Sequence, residues 1–236
     1  MKILMAFISR TINFLTPMYD LIGDIHGHAD ELKKLLHKLH YKEINGSWQH
    51  QRRKVIFVGD YIDRGPEIRE VLQIVKGMTN IGSAIALMGN HEYNALAYNY
   101  KYKGEFLRPH TDKNTHQHIE TINQFKDYPD EWKLYTKWFY SLSLFLELPE
   151  LNAVHACWNV SDIEWLKQGN NYKMSEQLLV DSHQKGTLAY NVINDTLKGK
   201  EINIPAEFAW HDKDGNLRTE NRYKWWVDTK GATYEE

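Results

Sequence analysis

Three stretches of the chain share one pattern: an apolar run that ends in a glycine, followed at once by a polar side chain able to hold a metal ion. They are Leu21-Ile22-Gly23-Asp24-Ile25-His26-Gly27-His28, Val55-Ile56-Phe57-Val58-Gly59-Asp60-Tyr61-Ile62-Asp63-Arg64-Gly65 and Ala84-Ile85-Ala86-Leu87-Met88-Gly89-Asn90-His91-Glu92. Apolar runs of this length without alternation predict strands buried on both faces. Between the first two, Leu32, Leu35, Leu36 and Leu39 fall at helical spacing behind Asp30 and Glu31, acids that suit a helix N-terminus. Ile68, Val71, Leu72 and Val75 repeat the spacing after Pro66, a residue suited to a first helical position. Strand, helix, strand, helix, strand is the order of a parallel sheet with helical crossovers, so the fold class is α/β. Ligands of such sheets gather at the carboxyl ends of the strands, where the polar clusters stand.

The middle of the chain is more helical. Asn94 to Phe125 offers no clear strand, and His110, His116 and His118 are expected on a solvated connector. Pro129 to Tyr140, with Trp132, Tyr135, Trp138 and Phe139, predicts an amphipathic helix. Leu142, Leu144, Leu146 and Leu148 alternate, Pro149-Glu150 turns and Leu151 to His155 returns, which predicts a hairpin. Ser161 to Val192 reads as a further helical stretch. Phe208-Ala209-Trp210 and Leu217 flank an Asp-Gly turn at Asp212-Lys213-Asp214-Gly215, a second hairpin.

Charge narrows the partners. With 29 basic and 31 acidic side chains the formal charge is −2, so there is no basic excess of the kind that holds nucleic acid or an anionic membrane surface. No apolar run is long enough to cross a bilayer. The single cysteine, Cys157, excludes a disulfide framework and a Cys-built zinc site and fits a reducing compartment. Met1 to Pro17 carries a Lys near its start and apolar residues behind it. Arg10 and Asn13 interrupt that run and no small-residue cleavage site follows, so it does not read as an export signal. Met18 is the expected start, residues 1–17 an extension outside the core, and 18–236 one domain in the cytoplasm.

The strand ends supply the mixed carboxylate, imidazole and carbonyl donors that divalent cations take at a phosphate-cleaving centre. Asp24 and His26 are two residues apart, so on an extended segment they point the same way. Asp60 and Asn90 end the next two strands, and a carboxylate can bridge two cations. His155, closing Ala153-Val154-His155, is the natural fifth donor. Arg64 can clamp phosphate oxygens, and His91, oriented by Asp63, can protonate a leaving oxygen. His28 either assists from behind or opens the following helix. Cys157 is expected to be a small buried side chain, not a nucleophile. Trp225 and Trp226 either cover a substrate base, pack into the core or form a simple edge.

The second stretch alone fixes Gly59, Asp60, Asp63, Arg64 and Gly65, a coincidence of about one in 10⁶ starts at average composition. Together with Gly23-Asp24-Ile25-His26-Gly27, Gly89-Asn90-His91-Glu92 and Val154-His155-Ala156, it makes residues 19–155 resemble the calcineurin-like metallophosphoesterases, within them the phosphoprotein-phosphatase group and its bacterial relatives. The resemblance implies a four-layer α/β/β/α sandwich of two mixed sheets flanked by helices. It also implies two divalent ions, manganese foremost with iron or zinc possible, and hydrolysis of phosphate esters by a hydroxide shared between them. Carried over, Asp24 and His26 bind the first ion, Asp60 bridges, and Asn90 and His155 bind the second. His91, Asp63 and Arg64 keep the roles argued above. Val154-His155-Ala156-Cys157-Trp158 departs from the His-Gly-Gly usual in protein phosphatases and looks closer to bacterial enzymes that cleave dinucleoside polyphosphates. The implied substrates are phosphoserine or phosphothreonine proteins, or nucleotides such as diadenosine tetraphosphate. A family Gly-His that would complete the second site has no counterpart after His155. A chain ending before that strand is the first expectation, with substitution by His211 or a weak second site as the alternatives. The rival reading is a metal- or phosphate-binding module without catalysis.

Overall fold

The computed structural model describes residues 18–211, 217–222 and 224–226. Its centre is a parallel sheet of three strands, β1 (Met18–Ile22), β4 (Arg53–Phe57) and β5 (Ala84–Ala86), in the order β1-β4-β5. The crossovers are helices α1 (Ala29–Lys38) and α2 (Ile68–Asn80), and between α1 and β4 lies a small hairpin, β2 (Lys42–Ile44) and β3 (Ser47–Gln49). Beyond β5 a bridge from Leu87 to Ser143 widens the sheet by one position.

Alternation along β4 separates two layers. Val55 and Phe57 point into the larger apolar cluster with Ile68, Val71, Leu72 and Val75 of α2, all fully buried. Burial of each such side chain stabilises the fold by about 1.5–3 kcal/mol. Ile56 points the other way, into a second cluster with Leu87 and Ala153, against which Tyr19, Val58 and Leu146 pack. That second cluster is covered by the hairpin of β8 (Phe145–Glu147) and β9 (Asn152–Val154). Helices, parallel sheet and hairpin are thus stacked in the expected α/β order, the second sheet being this antiparallel pair among the described residues.

Several expectations need correction. β1 is not buried on both faces: among the described residues it lies at the sheet edge with β4 as its neighbour, and Leu21 is 56% exposed. Pro66 stands outside α2, whose N-cap is Glu67. Residues 94–125 hold α3 (Asn90–Asn99), a short hairpin of β6 (Lys101–Tyr102) and β7 (Glu105–Phe106), and α4 (Asp112–Phe125). α5 (Pro129–Phe139) has Pro129 in its first turn, as expected. The helical stretch expected from Ser161 to Val192 consists of three helices, α6 (Val160–Gln168), α7 (Glu176–Asp181) and α8 (Leu188–Lys198). Side chains start each one, Asn159 accepting from Ser161 N–H, Ser175 from Leu178 N–H and Thr187 from Tyr190 N–H.

Toward the end, β10 (Glu201–Asn203) precedes the expected second hairpin, β11 (Trp210–His211) with β12 (Leu217–Arg218), and β13 (Glu220–Arg222) pairs with β10. The turn at 212–216 and the extension at 1–17 lie outside the described residues. Among the described residues no helix is long and apolar enough to cross a membrane.

Candidate metal centre

The carboxyl ends of β1, β4 and β5 run into loops that are tied together through their backbones. His26 N–H donates to Asp60 O (2.9 Å) and Gly27 N–H to Tyr61 O (2.9 Å). Glu92, fully buried, draws the β4 and β5 ends together: its carboxylate accepts from Asp60 N–H (2.9 Å), Tyr61 N–H (2.8 Å) and Gly89 N–H (3.0 Å). Burial and the nearby Asp60 charge push the Glu92 carboxyl up to about 7. The loops approach so closely that a Cβ on Gly89 would sit 2.3 Å from Asp60 Oδ1 and 2.4 Å from Asp60 N. These contacts leave little freedom. Asp24, His26, Asp60, Asp63 and Arg64 all take positive φ, between 45° and 68°. Side chains rarely adopt that region unless their surroundings over-determine it, and such residues concentrate at functional sites. Asp24 and His26 are therefore not on an extended segment, and contrary to expectation no strand alternation aligns their side chains.

Asp60 sits at the middle, 4% exposed. Its Oδ2 lies 3.6 Å from His26 Nε2 and 3.9 Å from His91 Nε2, and its Oδ1 lies 3.5 Å from His155 Nε2. Ligand atoms of His26, Asp60 and His91 fall within 4.8 Å of one another, and so do those of Asp24, Asp60 and His155. Asn90 Oδ1 is 3.0 Å from His155 Nε2, on the second group's side. Asp60 is common to the two groups, one oxygen toward each, while Asp24 keeps company with His155 and His26 with His91. That division differs from the carried-over one, which joined Asp24 to His26. Two donors around a single ion at about 2.0–2.2 Å each stand a little over 3 Å apart, near the separations found here.

The tautomers favour cations. His26 Nδ1 donates to Ile62 O (2.9 Å), which leaves Nε2 as a bare acceptor, buried and without a partner. Burial, backed by the charge of His91, holds the His26 pKa below its usual value and keeps the ring in the neutral, ligating form. His155 Nδ1 donates to Val58 O (2.7 Å), so its Nε2 faces the Asn90 carbonyl oxygen acceptor to acceptor. An orphaned buried nitrogen and two opposed lone pairs are what a divalent ion would relieve. The residues present fit such ions.

His91 lies beside this centre with its Nδ1 on Asp63 Oδ2 (2.6 Å), as the orienting role of Asp63 requires. The other Asp63 oxygen accepts from His118 Nδ1 (2.7 Å) and Thr121 Oγ1 (2.5 Å), both from α4. Burial raises the Asp63 carboxyl, yet the hydrogen bonds from His118 and His91 outweigh it and hold the group well below the usual carboxylate range. Burial lowers the His91 imidazole, and the Asp63 hydrogen bond with the Asp60 charge more than offsets it, so its pKa is raised. His118 was expected on a solvated connector; it is 6% exposed and part of this relay. No spacing in the sequence links it to Asp63, 55 residues away. Exposed Arg64 lines a cleft of about 770 Å³ together with Asp63, Asn90 and His91.

The remaining candidates fall outside the centre. His28 is the N-cap residue of α1 but makes no side-chain cap bond. Cys157 is buried and its burial pushes the thiol up, which suits the passive role expected of it. Trp225 and Trp226 are not core residues: Trp225 Nε1 donates to Ala156 O (2.8 Å) and Trp226 is 67% exposed. His211 is exposed on β11 and belongs to neither donor group among the described residues.

Residues 19–232 match the family described as calcineurin-like phosphoesterase. A bis(5'-nucleosyl)-tetraphosphatase (asymmetrical) of Oceanobacillus iheyensis is 32% identical over 58% of this chain and 54% of its own length. One from Halalkalibacterium halodurans is 37% identical over 50% of this chain and 51% of its length. A symmetrical bis(5'-nucleosyl)-tetraphosphatase of Psychromonas ingrahamii is 27% identical over 84% of this chain and 60% of its length. Among solved structures, a cold-active protein tyrosine phosphatase superposes with a TM-score of 0.49 at 20% identity, over 80% of this chain and 59% of that one. The chain spans about half the length of the first two relatives. With that match running over residues 19–232, the chain belongs to the calcineurin-like phosphoesterases.

Proposed function

We propose that the protein is a metal-dependent phosphoesterase that cleaves phosphate esters, its substrate a phosphorylated protein or a nucleotide of the diadenosine tetraphosphate type. The observation that carries the reading is Asp60 with one oxygen facing His26 and the other facing His155, and with Asp24 in reach of the latter pair. Asp24, His26, Asp60, Asn90 and His155 would hold two divalent ions, manganese first among the candidates. Bound there, such ions lower the pKa of water and neutralise charge on phosphate oxygens. The chain's own residues do the rest. Arg64, exposed at the mouth of the cleft, binds the non-bridging phosphate oxygens and sets the ester in line. His91, whose pKa the Asp63 hydrogen bond and the Asp60 charge raise, gives its proton from Nε2 to the leaving oxygen. Asp63 fixes the tautomer and the ring plane, and is itself held by His118 and Thr121.

Asp60→Asn keeps the side-chain shape and removes the bridging charge. The variant is expected to fold, to bind fewer than two equivalents of manganese and to lose hydrolysis of p-nitrophenyl phosphate. Unchanged turnover by this variant would overturn the assignment. Wild-type chain that binds metal but hydrolyses neither this ester nor diadenosine tetraphosphate would favour a binding module instead.

A further inference from the structure

The cleft does not stop at His91. Its far wall carries Arg108, from the loop between β7 and α4, and Lys198, the last residue of α8. Both are half-buried. The Arg108 guanidinium donates to Asn94 Oδ1 (3.4 Å) and Gln117 Oε1 (2.6 Å), neutral acceptors that leave its charge uncompensated. Lys198 Nζ lies 5.1 Å from the centre of the Tyr93 ring. Among the described residues no carboxylate lies at ion-pairing distance from either cation; Asp63 and Glu201 are felt only from farther off. Burial and the charge of Arg108 together depress the Lys198 ammonium to about 8, so it is still mostly protonated at neutral pH. Burial lowers Arg108 as well.

Two like charges brought together from separate elements, partly desolvated and unneutralised, destabilise the empty protein. Folds retain such a pair where an anion completes it. Arg108 and Lys198 line the same cleft as Asp63 and His91, and Arg108 feels the Asp63 carboxylate.

We propose that Arg108 and Lys198 form a second phosphate subsite, so that the preferred substrate carries a chain of linked phosphates and not a lone phosphomonoester. The inference rests on the phosphoesterase reading for the position of the first phosphate. A phosphomonoester on a protein side chain offers one dianion, which the metal centre and Arg64 already engage. A polyphosphate chain places a further anion along the cleft. The guanidinium provides a planar fork for it and the ammonium a point charge.

The test uses Lys198→Gln and Arg108→Gln in the full chain, with thermal melts to establish folding. Removing a half-buried cation that no carboxylate of the described residues pairs leaves no unmatched charge among them, so both variants are expected to melt at or near the wild-type temperature. Binding of inorganic tripolyphosphate and of orthophosphate is measured by calorimetry in EDTA, which removes metal chelation as a contribution. Wild type is expected to bind tripolyphosphate more tightly than orthophosphate, and each variant to lose about tenfold of that preference, as befits one charge-assisted contact. With manganese added, the loss in kcat/KM on diadenosine tetraphosphate is expected to exceed that on p-nitrophenyl phosphate by about tenfold. Wild-type tripolyphosphate affinity in both variants, or equal losses on both esters, would overturn the subsite. If wild type hydrolyses neither ester, the phosphoesterase reading falls, while the calorimetry still judges whether the anion site exists.

Discussion

Glu92 offers the sharpest test of how the site is built, because it touches no substrate and carries no donor atom of the metal groups. Its carboxylate is fully buried and accepts three backbone N–H groups, from Asp60, Tyr61 and Gly89. Glu92→Ala leaves those three donors without an acceptor in a space that side chains close off. Net hydrogen bonds to a charged group are worth about 1.5–3 kcal/mol each, but the gain is reduced by the cost of holding a carboxylate beside Asp60 in a dry pocket. The expected loss is about 3–5 kcal/mol, as for other buried charges whose partners are stranded. For a chain of this size, 1 kcal/mol moves Tm by about 2–4 °C, so the fall should be about 6–20 °C. Circular dichroism melts in EDTA at about pH 8 measure it, with Glu92→Gln as the companion. The amide keeps the volume but turns an N–H toward the backbone donors, so its Tm should fall between the other two. The pH course adds a sign. A carboxyl whose pKa is raised in the folded state contributes stability that is fully present below its unfolded value and lost as pH rises through about 7. Wild type should therefore lose ground to the non-titrating Gln variant between about pH 5 and pH 8. A Glu92→Ala melt within about 3 °C of wild type would refute the claim that this side chain holds the strand-end loops together.

Two further perturbations probe neighbouring joints. His118→Ala removes one of the three side-chain donors on Asp63 and should cost about 1–3 kcal/mol in an EDTA melt. If His118 acts through Asp63 on His91, kcat on p-nitrophenyl phosphate should fall several-fold with KM little changed and the alkaline limb of the pH profile should shift; an unaltered profile would count against it. Gly89→Ala puts a methyl 2.3 Å from Asp60 Oδ1 and 2.4 Å from Asp60 N, and the backbone there cannot retreat. Metal analysis should find less than two equivalents of manganese bound, and a full complement would show that the loops tolerate more separation than their geometry suggests.

Much of this was written along the chain. Apolar runs at 19–22, 55–58 and 84–88, with leucines and valines at helical spacing between them, specify the parallel sheet and its crossovers, because burial rewards those periods wherever the rest of the chain lies. The glycine-acid endings mark the loops that carry Asp24, Asp60 and Asn90, since only a sharp turn of the backbone lets neighbouring loops come that close. Other features had no local signature. That β1 is an edge strand depends on which strand lies beside it, and a run of apolar residues says nothing about neighbours. That His118 meets Asp63, that Asp24 comes within reach of His155 and that Lys198 and Arg108 line one cleft are matters of long-range packing. Periodicity and turn chemistry act over a few residues, so sequence alone determined the elements and the loops bearing the chemistry. Distances, tautomers and charges between those loops were decided only when burial of the two apolar clusters brought remote segments into one place.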